Sequence, residues 1–159
     1  MIVLIYQTGE TLKLDLDTMV GANFEGENLH RIIFDGKVLH DCNFSNSLLR
    51  NATFIGADLS RAKFRFAKLI NAYFRCATLK DCDLQGAVLV GADLTSADLT
   101  GANLSNVDVR FCSFKGAIIK RANMDVVNAK SADWDGAIYD AGTIWPVDFD
   151  PGAFGLVSE

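Results

Sequence analysis

The residues that could do chemistry are few. A general base, a nucleophile or a metal site would have to be drawn from His30 and His40, from Cys42, Cys76, Cys82 and Cys112, and from a scatter of carboxylates. A general acid or base must sit within hydrogen-bond reach of the proton it moves, and zinc needs closely spaced thiolate or imidazole ligands. No cysteine stands in a Cys-x-x-Cys pair, the histidines complete no zinc ligand set, and no glycine-rich phosphate-binding motif occurs. We therefore assign no catalytic, cofactor-binding or metal-binding residue and expect no cofactor. Asp58, Asp83, Asp93, Asp98, Asp108 and Asp133 each precede a large apolar residue in one repeating pattern. They read as its solvated position, not as a paired-carboxylate site.

That pattern is what must position every side chain. Ala52-Thr-Phe-Ile-Gly, Ala57-Asp-Leu-Ser-Arg, Ala62-Lys-Phe-Arg-Phe and Ala67-Lys-Leu-Ile-Asn follow one another in a five-residue rhythm. With Leu or Phe taken as the centre, the frame runs unbroken from Phe24 to Tyr139, 24 pentads in all. Two residues before the centre stands Ala in 15 pentads and Cys in three, so Cys42, Cys82 and Cys112 are read as core residues. On an α-helix, steps of five would turn the apolar position by about 140° per repeat and form no stripe. A small and a large apolar residue flanking one polar residue instead give the period-two signature of a short strand, and the two remaining residues must turn a corner. Eight of the 13 glycines occupy the last slot of a pentad, where tight backbone is needed.

Between Phe24 and Leu79 the centres alternate Phe and Leu. Twenty residues per turn places like on like, giving Phe24, Phe44, Phe64 and Leu29, Leu49, Leu69 as uniform columns, whereas fifteen would pile Phe on Leu. The expected fold is therefore all-β: a right-handed quadrilateral β-helix of about six four-sided coils with capped ends. Residues 1–21 are expected to form an N-terminal hairpin and cap, with strands at Ile2–Tyr6 and Thr11–Leu16. Residues 22–141 are the β-helix and 142–159 a C-terminal cap and tail, one domain overall. In the first coil Glu27, Ile32 and Lys37 stand where small residues belong, and all three are expected to splay outward. Cys42 and Cys82 share a column but lie about 9.6 Å apart, too far for a disulfide.

The series Ala92-Asp-Leu-Thr-Ser, Ala97-Asp-Leu-Thr-Gly, Ala102-Asn-Leu-Ser-Asn resembles the bacterial pentapeptide-repeat family, over about three-quarters of the chain. The segment from Tyr139 to Pro151 resembles the terminator many members carry after their last coil, so Trp134, Trp145 and Phe149 are expected to close the core. The resemblance implies a solenoid that binds proteins, and for some members a DNA mimic acting on type II topoisomerases such as gyrase. Charge tests the latter. The net −5 comes entirely from the terminal segments, because residues 22–141 hold 14 basic and 14 acidic residues. A duplex of matching length, about 29 Å, would carry about 17 negative charges. The same balance argues against direct nucleic-acid binding.

One side of the coil is basic. The pentads centred on Leu29, Leu49, Leu69, Leu89 and Val109, with the next one, hold five basic and two acidic residues. Outward apolar residues Leu48, Ile70, Val88 and Val90 join Arg50, Lys68 and Arg110 there, with Phe66 and Phe111 at the neighbouring corners. This mixture is a candidate surface for a protein partner. No apolar run is long enough to span a bilayer, and the first residues lack the features of a secretory signal, so a cytoplasmic protein without membrane contact is expected. It would be a monomer or an end-to-end homodimer.

Overall fold

The computed structural model describes residues 1–159. Its regularity comes from pairing at a distance of twenty residues. Parallel bridges join Asn23 to Asn43, Asn43 to Lys63, Lys63 to Asp83 and Asp83 to Asn103, and three further series begin at Asn28, Ile33 and Val38. Each bridge is one residue long because a pentad has only three extended residues before it must turn. Phe44 N–H donates to the Lys63 carbonyl (2.7 Å), Lys63 N–H donates back to Cys42 (2.9 Å), and Ser47 N–H closes the corner onto Phe44 (3.2 Å). The protein is a β-helix, and its only helical turns are two short 3-10 segments.

Alternation sends the small residue and the centre of each pentad inward. Ala52 and Phe54, Ala57 and Leu59, Ala62 and Phe64 are all fully buried. Stacking then follows from the pairing: Phe24, Phe44 and Phe64 lie face to face at 5.0 and 4.9 Å, and Phe34, Phe54 and Phe74 at 5.1 and 4.9 Å. Rings of the two stacks meet edge-on, as Phe44 and Phe54 do at 5.8 Å, the other favoured arrangement of aromatic quadrupoles.

At the first end β1 (Ile2–Tyr6) and β2 (Thr11–Leu14) form an antiparallel hairpin, and β1 also pairs antiparallel with β3 (Ile32–Ile33). The second strand thus stops two residues short of the expected Leu16. That sheet corrects the reading of Ile32, which is fully buried because β1 covers it, while Glu27 and Lys37 do point outward.

The frame is not unbroken either. Val127, rather than Asn128, bridges Asp108, an offset of nineteen, and Asn123 bridges Ile144, an offset of twenty-one. Between these lies the 3-10 turn Ala129–Ser131, entered through Asn128 with φ 63°. Val126 is buried in consequence and Val127 exposed. Two hydrogen bonds hold the shifted chain in place: Val109 N–H, one coil below, donates to the Val127 carbonyl (3.2 Å), and Trp134 Nε1–H donates to the Ala129 carbonyl (2.8 Å). Trp134 stacks on Phe114 at 4.4 Å, and Trp145 and Phe149 pack against it. The tail does more than cover this end. β5 (Val157–Ser158) pairs in parallel with β4 (Ile138–Tyr139), adding a further short rung.

Candidate functional site

The polar position before each centre has a structural task that its letters do not disclose. All six aspartates named above accept a hydrogen bond from the backbone N–H two residues on, at 3.0–3.2 Å. They tie down the start of the corner, as short Asx side chains do in turns. At Asp98 burial pushes the carboxyl up, but the Thr100 hydroxyl and N–H outweigh it and hold it below its usual range.

The same carboxylates face basic residues of the coil before. Arg65 meets Asp83 (3.1 Å), Arg75 meets Asp93 (3.8 Å), Lys80 meets Asp98 (3.1 Å) and Lys115 meets Asp133 (3.1 Å). Each pair is eighteen residues apart, because twenty residues advance the chain by one coil and two step it back across the strand. Arg61 reaches Asp41 by two hydrogen bonds of 2.8 Å, and these, with a hydrogen bond from His40, lower the Asp41 pKa to about 2. His30 is exposed beside the hairpin, and His40 Nδ1 lies 3.3 Å from Asp41. Three cysteines are sealed in: the Cys42, Cys82 and Cys112 thiols donate to the carbonyls of Met19, Leu59 and Leu89 at 2.8–2.9 Å. Cys76 stands exposed at a corner. No three metal-binding side chains converge.

The structure gathers the residues of the basic side. Leu48, Lys68, Val88 and Asp108 form one continuous series of bridges. Arg50, Ile70, Val90 and Arg110 form the parallel row two residues on, their carbonyls accepting from Arg31, Asn51, Asn71 and Gly91. Leu48 is 45%, Phe66 52% and Phe111 76% exposed, so these are true surface groups, while Ile70, Val88 and Val90 are half-buried. Phe66 and Phe111 flank the rows from opposite corners, and the Arg65 guanidinium lies 5.9 Å from the Phe66 ring. Arg110 is turned back onto Asp108 at 2.7 Å.

Two further basic residues belong to this wall. Arg31 lies at its first coil, in a cleft of about 640 Å³ whose walls include Tyr6, Glu10, Asn28 and His30. Gln7 fixes the hairpin over that cleft through a hydrogen bond to the Asn51 carbonyl (2.9 Å). Lys130 sits on the 3-10 turn at the far end. Both are among the five basic residues that the five-residue frame counts on this side, although neither is among the candidate binding residues named from the sequence. No helix of the chain is long and apolar enough to cross a membrane.

The pentapeptide-repeat family pattern matches residues 38–75 and 72–110, in eight copies. A solved pentapeptide repeat protein from the Arabidopsis thaliana thylakoid lumen is 37% identical over 65% of this chain and 69% of its own, with a TM-score of 0.35. Rfr23, a pentapeptide repeat protein of the cyanobacterium Cyanothece, is 27% identical over 79% of this chain and 89% of its own, TM-score 0.47. QnrB1, a plasmid-mediated fluoroquinolone resistance protein, is 20% identical over 92% and 86%, TM-score 0.48. No curated protein matches the chain.

Proposed function

Because the chain belongs to the pentapeptide-repeat family, we propose that it is a non-enzymatic scaffold that binds a protein partner through the wall bearing Leu48, Arg50, Lys68, Ile70, Val88, Val90 and Arg110, with Phe66 and Phe111 at its edges. The observation that carries this reading is the composition of that wall. Leu48, Phe66 and Phe111 are exposed apolar groups that nothing in the chain covers, set among arginine and lysine. Exposed apolar area mixed with arginine is what protein interfaces select. We take the supporting coil to be right-handed and square in section, with about six turns over residues 22–141, a hairpin cap at 1–21 and a cap and tail at 142–159. Pairing at twenty residues and the paired phenylalanine stacks support this form. The protein works as a monomer in the cytoplasm.

The test is a comparison of partners retained from cells of the source organism by the wild-type chain and by the double variant Arg50→Glu, Val90→Glu. Arg50 is exposed and Val90 half-buried with its side chain on the outer wall, so far-ultraviolet circular dichroism should stay unchanged and the unfolding midpoint should fall only slightly. Specific partners should be lost. Retention of every partner by a folded double variant would place the binding surface elsewhere. The DNA-mimic reading has less support, because residues 22–141 hold as many basic as acidic residues and six of those carboxylates are paired with a basic neighbour.

A further inference from the structure

On the other walls four basic side chains are neutralised by one spacing, in which a basic residue just after a centre meets a carboxylate eighteen residues on, as Arg65, Arg75, Lys80 and Lys115 do, while Lys120 reaches Glu159 instead. Arg50 obeys the same geometry, but position 68 is a lysine. Where those four pairs set an anion against a cation, this wall sets a second cation. Neither Arg50 nor Lys68 has a carboxylate within 4 Å, and the wall's own Asp108 is engaged by Arg110, by the Asn128 amide at 3.1 Å and by a backbone N–H. Beside this pair lie Leu48 and Ile70, and on the next coil Val88 and Val90.

We propose that the partner is a protein segment carrying acidic side chains next to apolar ones, with a carboxylate seated between Arg50 and Lys68 and apolar groups on Val88 and Val90. This deepens the reading of the wall given above and rests on it. Charge complementarity selects the occupant: bringing Arg50 and Lys68 onto neighbouring coils is unfavourable until an anion joins them, and the bound carboxylate supplies what Asp83 supplies to Arg65. Nucleic acid would bring anions too, but would leave the apolar half of the surface without a counterpart.

The full chain is titrated, by fluorescence anisotropy, with three labelled peptides that alternate leucine with glutamate, glutamine or lysine, and with a labelled DNA duplex. The glutamate peptide should bind about tenfold more tightly than the glutamine peptide, the lysine peptide least, and added salt should erase the difference. Arg50→Gln with Lys68→Gln should remove that advantage, while Val90→Glu should weaken the glutamate and glutamine peptides alike. Equal affinity for those two peptides, both lost in Val90→Glu, would overturn the acidic partner and leave the scaffold reading standing. Binding that no variant alters, or no binding of the glutamate peptide, would overturn both. Tighter binding of the duplex, lost in the Arg50→Gln, Lys68→Gln variant, would make phosphate the anion and overturn the proposal. A native far-ultraviolet circular dichroism spectrum and a cooperative melting transition well above the assay temperature, retained in each variant, separate these outcomes from unfolding.

Discussion

Four thiols in one chain are held in two different ways. Burial pushes the Cys42 thiol up to about 11 and Cys112 up to about 12, with Cys82 also raised, whereas Cys76 lies in water at a corner. A thiol whose pKa is raised by folding stays protonated when the unfolded chain has ionised. Its contribution is complete below the unfolded value near 9.0 and is lost as pH rises through the folded value. Two outcomes follow for the native protein. A thiol reagent at neutral pH should modify one cysteine quickly, Cys76, and the other three only as fast as the chain unfolds, as counted by mass spectrometry. The denaturant midpoint should fall between pH 9 and about 11, and Cys42→Ala with Cys82→Ala should flatten that fall. Alanine already fills the equivalent place in most pentads, so each substitution should cost only about 1 kcal/mol at neutral pH.

At the scale of the pentad the corner decides what is tolerated. Its last residue takes a left-handed conformation even when it is not glycine, as at Phe66 (φ 58°) and Cys76 (φ 56°). Gly86 lies directly above Phe66, and a Cβ on it would come within 2.6 Å of the ring. Gly86→Ala should therefore cost about 1–2 kcal/mol for the left-handed backbone and more for displacing the ring. In a Phe66→Ala background only the first part should remain. A double-mutant cycle read by urea unfolding measures the difference, and additive costs would show that the ring does not rest on that glycine.

Much of this element was legible because an inward-pointing side chain is recorded in spacing alone: fives give the strands and corners, and the Phe–Leu alternation gives the stacks. Other features are silent for physical reasons. Ile32 is an oversized residue in a small slot, and only the hairpin of residues 2–14, whose first strand pairs with it, makes that slot internal. Val126 and Val127 are interchangeable as letters, so the one-residue shift is set by hydrogen bonds to Val109 and Trp134 that no local pattern records. The wall residues could be placed by arithmetic on twenty, but the pairing eighteen residues apart, and hence the isolation of Arg50 and Lys68, needs the offset across the strand as well.

For the whole molecule, electrostatics separates the two readings of function. The 14 basic and 14 acidic residues of 22–141 cancel in sum, and six of those carboxylates are paired with a basic side chain, so the coil carries no net charge to project beyond about a Debye length. A surface imitating a duplex would need the opposite, a long anionic column. Titrating micromolar protein into a gyrase supercoiling assay should therefore give a flat response. Inhibition, or protection of the enzyme against a fluoroquinolone, would restore the topoisomerase reading.

The shift at Val126–Ser131 has a consequence for growth. A tower in which each storey repeats the one beneath is a template that could in principle be extended by another molecule, storey upon storey, as a fibril is. Here the top storey is out of step on one side and roofed by aromatic rings on another, so an arriving copy finds no matching floor to continue. The displaced turn and the aromatic roof together make this end unlike the storeys beneath it.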